Sequence, residues 1–269
     1  MPGSSVYFSD LLPQKHCIFW NNLKKILEDL QVGYHLLPHT KDIRARDYMP
    51  VQVESHLIQF RYDPDYLAKD PDLRTDLEMV TKAMDITTRK SSLIVDGGNV
   101  ITGSGYAFLT EKVFKENKTI NSDKIISTLS ELLHVKVIIL PILPYDWTGH
   151  SDGMVRITNG KLVMGDISSQ SKSWQKRFKK AVGLCPLEKI ILPYPEIIHP
   201  KKKHDHAIGC YTNYLELEHL IIMPSFGLPE DEKAMEVMRS ITDKKVVNLN
   251  CTEIAMEGGV LNCISWAKQ

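Results

Sequence analysis

The sequence has no net charge: its 33 Lys plus Arg residues equal its 33 Asp plus Glu residues. Without a global field it has no general means of drawing in nucleic acid or an anionic membrane surface, so any electrostatic preference is local. No run approaches the roughly 20 apolar residues needed to span a bilayer. Met1 to Asp10 lacks the basic flank and apolar stretch of a secretory signal. Close-paired cysteines are missing too. The five present, Cys17, Cys185, Cys210, Cys251 and Cys263, are an odd set at wide spacing. That pattern argues against a disulfide framework and a cysteine zinc site, and it fits a reducing cytoplasm. With no linker or low-complexity tract, residues 1–269 are expected to form one domain.

What is present is an α/β pattern. Phe19, Leu23, Ile26, Leu27 and Leu30 recur at helical spacing. Ser122 and Asp123 can cap a helix whose apolar face is Ile125, Ile126, Leu129, Leu132 and Leu133, and a third helix is predicted over 230–241, after Pro229. Strand-like runs lie between: 93–95, 106–109, 135–140, 154–157, 161–164, 189–192, 214–223 and 246–249. From Leu93 to Leu140 the order is strand, strand, helix, strand, and it recurs over 154–192 and 214–249. Three cycles of one unit predict an internally repeated α/β architecture.

Four segments carry chemical groups. His150-Ser-Asp152, between Gly149 and Gly153, would place an imidazole and a carboxylate on one face if extended. A histidine near a carboxylate carries protons well near neutral pH, although a loop histidine beside a solvated aspartate reads the same way. Gly258-Gly259 opens an apolar strand with Cys263 in its middle. Most free cysteines are buried hydrophobes, the reading taken for Cys17, Cys185, Cys210 and Cys251. Asp96-Gly97-Gly98-Asn99 follows an apolar strand and is either an acid presented at a site or a plain turn. Asp42-Ile-Arg44-Ala-Arg46-Asp47, shortly before Pro50, is either functional or a solvated loop. The basic run 201–204 with His206 reads as a solvated loop without a third metal ligand, and Gly103-Ser-Gly105 is too short for a phosphate cradle.

Taken together, the order Arg46-Asp47 with a following proline, Asp-Gly-Gly-Asn, His-x-Asp, and Gly-Gly before a late cysteine resembles the guanidino-group-modifying superfamily. Within it the chain resembles the agmatine deiminases and the related bacterial peptidylarginine deiminases. The stretch from Tyr211-Thr-Asn213-Tyr to Trp266, with Pro224-Ser-Phe226-Gly227, is similar as well, so the resemblance runs from about Asp42 to the C-terminus. It implies a pseudo-fivefold α/β propeller of strand-strand-helix-strand units that brings distant strand ends to one site.

The resemblance implies Cys263 as nucleophile, His150 as proton carrier, Asp96 as its orienter, and Asp47 and Asp152 as the grip on the substrate. Asp42, Arg44 and Asn213 are further expected substrate-binding residues. No metal or organic cofactor is expected. The expected partner is a small guanidino molecule, with neither nucleic acid nor membrane, and a homodimer is compatible with the sequence. The physical logic agrees. A guanidinium is planar and permanently charged, so two carboxylates can hold its N–H edges and fix its plane. A thiol of pKa about 8.5 is only slightly ionised at neutral pH, and a bound cation favours its thiolate. The sequence departs from the resembled pattern in three places: Asp96 replaces a glutamate, Arg44 a tryptophan and Asn262 a histidine. Arg44 would favour a carboxylated substrate tail if it faces the pocket. An amidinotransferase sharing the same intermediate and a non-catalytic guanidinium binder stay open, whereas a papain-like protease fits poorly.

Overall fold

Short β-branched runs between amphipathic helices dictate alternating α/β structure. The computed structural model, which describes residues 5–195 and 206–268, arranges them as five three-stranded sheets. The basic run 201–204 lies outside the described residues.

In the first sheet β1 (Ser5–Ser9) runs parallel to β2 (Tyr34–Leu37) across α1 (Leu12–Lys15) and α2 (Cys17–Asp29). A single turn, α3 (Ala45–Tyr48), then leads into β3 (Val51–Val53), which forms a hairpin with β4 (His56–Arg61). Through α4 (Leu77–Ala83) the chain returns to β5 (Arg89–Ile94), parallel to β4. The third unit is the hairpin β6 (Ile101–Gly103) and β7 (Tyr106–Thr110), then α5 (Lys112–Glu116), α6 (Ser122–Leu133) and β8 (Lys136–Leu140). The fourth is β9 (Val155–Thr158), β10 (Lys161–Gly165), α7 (Lys172–Val182) and β11 (Lys189–Leu192). The fifth is β12 (Leu215–Glu216), β13 (Leu220–Ser225), α8 (Glu230–Ile241) and β14 (Lys245–Asn250). After α9 (Thr252–Ala255), β15 (Ser265–Lys268) pairs antiparallel with β1, so the last strand completes the first sheet.

Every middle strand therefore pairs antiparallel on one side and parallel on the other. The parallel partner is reached only through a helical crossover, which is what parallel pairing requires. The hairpins turn where the sequence permits positive φ: Ser104 and Gly105 at 47° and 81°, Asn159 and Gly160 at 48° and 70°. Gly103-Ser-Gly105 is thus a hairpin turn. Helix and sheet faces meet in apolar clusters. One joins Val6, Phe8, Leu23 and Leu27 to Ile221, Met238 and Leu261; another joins Val155 and Phe108 to Trp174 and Phe178. Each such fully buried side chain contributes about 1.5–3 kcal/mol of transfer free energy.

The sequence pattern captured the last three units and misplaced one strand. The 93–95 run is the end of β5, which pairs with β4, so the first recognised cycle begins at β6 instead. The 214–223 run splits into β12 and β13 around a turn. The start of α6 is capped by Asn121, whose side chain accepts from Asp123 N, and not by Ser122 or Asp123.

Candidate active site

In each sheet one edge strand runs antiparallel to the middle strand: β15, β3, β6, β9 or β12. The segment just before each edge strand carries the groups singled out in the sequence. Cys263 precedes β15, Asp47 precedes β3, Asp96 precedes β6, His150 and Asp152 precede β9, and Asn213 precedes β12. One cavity of about 100 Å³ is lined by Arg44, Asp47, His150, Asp152, Asn213 and Cys263. Asp96 stands behind His150.

Local structure differs from the sequence expectation at two of these segments. Asp152 sits in a turn that begins directly after His150, so the pair is not in an extended run: Met154 N and Val155 N both donate to Ser151 O at 2.9 Å. Alternation therefore does not place them together; the turn does. Cys263 likewise lies in a turn over 261–264, closed by Ile264 N to Val260 O at 3.2 Å, with the strand starting only at Ser265. The segments are stitched to one another through the backbone. Arg46 N donates to Cys263 O at 3.0 Å, Asp152 N to Gly98 O at 3.2 Å, and Asn262 N to Asn213 O at 3.1 Å.

The glycine pair after Asp96 is required by this crowding. A Cβ on Gly97 would lie 2.1 Å from Arg46 O, and one on Gly98 would lie 2.5 Å from Asp47 Oδ1 and 2.6 Å from His150 Nδ1. Only hydrogen fits at either position.

His150 Nε2 and Asp96 Oδ2 are 2.9 Å apart, and Nδ1 on the other side faces Asp47 Oδ1 at 3.5 Å. Burial opposes a charged imidazole, but Asp47 and the bond and charge of Asp96 outweigh it and push His150 up to about 9. Burial also works against ionised Asp96, yet the bond and charge of His150, with Lys112, hold its carboxyl below the usual range. Burial pushes Asp47 up to about 7 against the pull of His150, with Asp96 and Asp152 adding to the rise. Tyr66 OH donates to Asp47 Oδ2 at 3.2 Å, whereas the buried Oδ1 accepts no hydrogen bond among the described residues. Cys263 Sγ lies 3.5 Å from Asp152 Oδ2, which also accepts from Asn262 Nδ2 at 2.7 Å. Burial, then Asp152 and Asp47, push the Cys263 thiol well above its ordinary value. Asn213 Oδ1 accepts from Cys263 N at 3.1 Å, so its contact is with the cysteine backbone.

Arg44 does line the cavity, but its charge is already matched. Nη1 lies 2.8 and 3.1 Å from the two Asp42 oxygens, Nη2 donates to Glu257 O, and the guanidinium lies 5.3 Å over the Trp147 ring. Asp42 thus grips Arg44 and is not among the residues lining the cavity. Cys210, read from sequence as a buried hydrophobe, lines the cavity too, with its thiol pushed up to about 12 by burial and then by Asp152. Cys17, given the same reading, is exposed on the surface.

Sequence reasoning passed over Lys112 and Tyr66. Lys112 Nζ is buried 3.3 Å from Asp96, 2.8 Å from Asp65 and 3.2 Å from Glu116, and it lies 4.6 Å over the Tyr66 ring. It therefore supports both the acid behind His150 and the tyrosine that holds Asp47. The only signal was a Lys-Glu pair four residues apart, which ordinarily marks a solvated helix face.

Residues 14–268 match the sequence model of the Porphyromonas-type peptidyl-arginine deiminases. A protein of Latilactobacillus sakei whose name, agmatine deiminase, is itself provisional is 26% identical over 211 residues, 66% of this chain and 58% of that one. A Streptococcus mutans protein of the same provisional name is 26% identical over 210 residues, 66% of this chain and 57% of that one. The chain spans just under three fifths of the length of these curated relatives. Among solved structures, agmatine deiminase from C. jejuni superposes with a TM-score of 0.77 at 16% identity, covering 99% of this chain and 93% of that one. Agmatine deiminase of Enterococcus faecalis gives 0.74 at 17% identity with the same coverage. At such identity the likeness is one of fold.

Proposed function

The chain belongs to the Porphyromonas-type peptidyl-arginine deiminase family, and we propose that it hydrolyses a guanidinium group to a ureido group and ammonia, with Cys263 as nucleophile. The observation that carries the reading is the cavity in which Cys263, the His150–Asp96 pair and two carboxylates converge, one of them, Asp47, with an unsatisfied buried oxygen. Five sheets of one design, closed by β15 on β1, support the further reading that residues 1–269 form one pseudo-fivefold α/β propeller.

A guanidinium entering this cavity meets Asp47 and Asp152 and supplies the cation their burial demands. Both carboxylates raise the Cys263 thiol. Neutralising them with a bound cation lowers it, so the thiol releases its proton to solvent and the substrate promotes the thiolate that attacks it. Sulfur bonds to the central guanidinium carbon. With Nε2 held by Asp96, His150 Nδ1 is the nitrogen left to donate a proton to the departing nitrogen, and ammonia leaves. The S-alkylthiouronium that remains is attacked by water, whose proton passes to His150. The C–S bond breaks as the remaining hydroxyl proton passes to sulfur, releasing the neutral ureido product and the Cys263 thiol. Raising His150 to about 9 suits the first proton donation, since the imidazolium is then the resting form near neutral pH. A reducing cytoplasm is the proposed setting for a free-thiol enzyme.

The test is incubation with agmatine, arginine and an arginine-containing peptide, assaying ureido product and ammonia with and without an amine acceptor. Equimolar ureido product and ammonia from one of them supports the hydrolase and names its substrate class. Product appearing only with the amine acceptor would replace hydrolysis by amidino transfer, and no chemistry on any member would contradict the arginine-like substrate class.

A further inference from the structure

The edge strands that bring catalytic groups to one cavity also border a second one, of about 600 Å³, lined in part by Arg46, Arg156, Lys244 and Asn262. Residues of β3, β6, β9, β12 and β15 all contribute to its wall, including Gln52, Thr102, Arg156, Glu216 and Trp266. This cavity therefore runs between the five edge strands, beyond the segments that carry Cys263 and His150.

Its charges are unevenly matched. Lys244 Nζ lies 2.9 Å from Glu216 Oε1 and donates to Leu217 O at 2.7 Å, so this cation is answered locally. Glu54, the other carboxylate in the wall, is exposed and lies 3.8 Å from His134. Neither Arg46 nor Arg156 forms an ion pair among the described residues. Arg46 donates Nε to Gly97 O at 3.0 Å and Nη2 to Val100 O at 2.7 Å. Arg156 lies 4.9 Å over the Tyr214 ring and donates Nη1 to Asn262 Oδ1. Burial first, and then the Arg156 cation, bring Arg46 down to about 10, although Asp152 and Asp47 pull the other way. Two planar guanidinium groups that line one polar cavity, neither with an ion-pair partner among the described residues, are suited to bidentate capture of an oxyanion.

We propose that this second cavity is a binding site for a small oxyanion, a phosphate or carboxylate group held between Arg46 and Arg156. The site is wired to the first cavity through one residue. Asn262 takes Arg156 Nη1 on its oxygen and donates its nitrogen to Asp152 Oδ2 at 2.7 Å, directly beside Cys263. An anion that draws Arg156 away from Asn262 loosens the partner of Asp152 and changes the surroundings of the thiol.

The test is thermal unfolding of the full chain in millimolar inorganic phosphate and, separately, in succinate, against sodium chloride at matched ionic strength. Wild type, Arg156→Gln and Thr102→Glu are compared; the last places a carboxylate in the cavity wall and leaves the Arg156–Asn262 bond in place, so it remains informative if Arg156→Gln fails to fold. At least one anion is expected to raise the wild-type Tm by about 2 °C or more, with the response lost in the folded variants. A response to phosphate alone assigns a phosphoryl ligand, and one to succinate alone a carboxylate. No response in wild type, or an equal response in the variants, overturns the site. Alkylation of Cys263 at the same anion concentrations reads the Asn262 relay: a changed rate supports it, and an unchanged rate with binding intact overturns the relay.

Discussion

Asp47 Oδ1 is buried and accepts no hydrogen bond among the described residues, with His150 Nδ1 at 3.5 Å, and a buried carboxylate oxygen short of hydrogen bonds is expensive unless a ligand completes it. The groups around it respond in kind. The thiol of Cys263 is held protonated by burial and by Asp152 and Asp47, so its reactivity in the empty enzyme should be low near neutral pH. Iodoacetamide modification of Cys263 is expected to climb about tenfold per pH unit through pH 9 without a plateau; a plateau near pH 7 would show a thiolate already formed. His150 gives the second residue-scale expectation. Its folded-state value of about 9 exceeds the ordinary 6.5, so the protonated form is favoured by folding. The stability it contributes is fully present below about 6.5 and is lost as pH rises through 9. Wild-type urea midpoints should therefore decline across this window, with a smaller decline in His150→Gln. Equal slopes for the two proteins would remove His150 as the source. Much of this candidate site was legible in the sequence as position, because His150, Asp96 and Asp152 each adjoin a glycine, while Cys263 and Asp47 lie within four residues of Gly259 and Pro50. Lys112 and Tyr66 were not legible, since what makes them matter is contact with Asp96 and Asp47, and no local pattern encodes those contacts.

At the level of the element, the candidate site is built from the short helix α3, loops and turns, and strand alternation plays no part in it. The expectation that His150 and Asp152 share a strand face, and that Cys263 lies within a strand, treated short apolar runs as continuous. Turns closed by Ser151 O and Val260 O interrupt them. The units containing β1 and β3–β4 were missed because β3 has only three residues and β4 is buried along most of its length, leaving little alternation to detect. The turn after β5 carries the sharpest element-scale prediction. Gly98→Ala must displace Asp47 or His150, because the new methyl would stand 2.5 and 2.6 Å from their polar atoms. Misplacement on the scale of 1 Å costs about 10²-fold in rate, so kcat/KM should fall at least that far. Gly160→Ala, whose methyl meets nothing within 4 Å, is the control: its cost should fall on stability, through the positive φ of 70°, and hardly at all on rate. Equal rate losses in the two variants would assign both to a general loss of fold.

Across the whole molecule, the recurrence of the unit explains why residues spread from Asp47 to Cys263 meet: each of the five sheets delivers the start of its edge strand to one place. Repetition without sequence identity is visible only as pattern, which is why three units were read and the other two were not. Closure of the first sheet by the last strand was likewise invisible, since it depends on pairing Ser5–Phe8 with Ser265–Lys268 at opposite ends of the described chain. Trp266 fastens that closure. Its ring is buried and its Nε1 donates to Pro50 O at 2.7 Å, joining β15 to the approach to β3. Trp266→Ala is expected to cost about 3–5 kcal/mol in urea unfolding, and a loss below about 1 kcal/mol would place the closure elsewhere.

The proposed reaction turns on Cys263 as the nucleophile that makes and breaks the bond to the guanidinium carbon. The decisive comparison is ureido-product formation by wild type and Cys263→Ala on whichever substrate the wild type accepts, with equal folding checked by Tm. Loss of about 10³-fold or more in kcat, with substrate still bound by the Asp47 and Asp152 pair, is the expected result. Turnover by the variant within about tenfold of wild type would mean that water attacks directly, and covalent catalysis at this site would have to be abandoned.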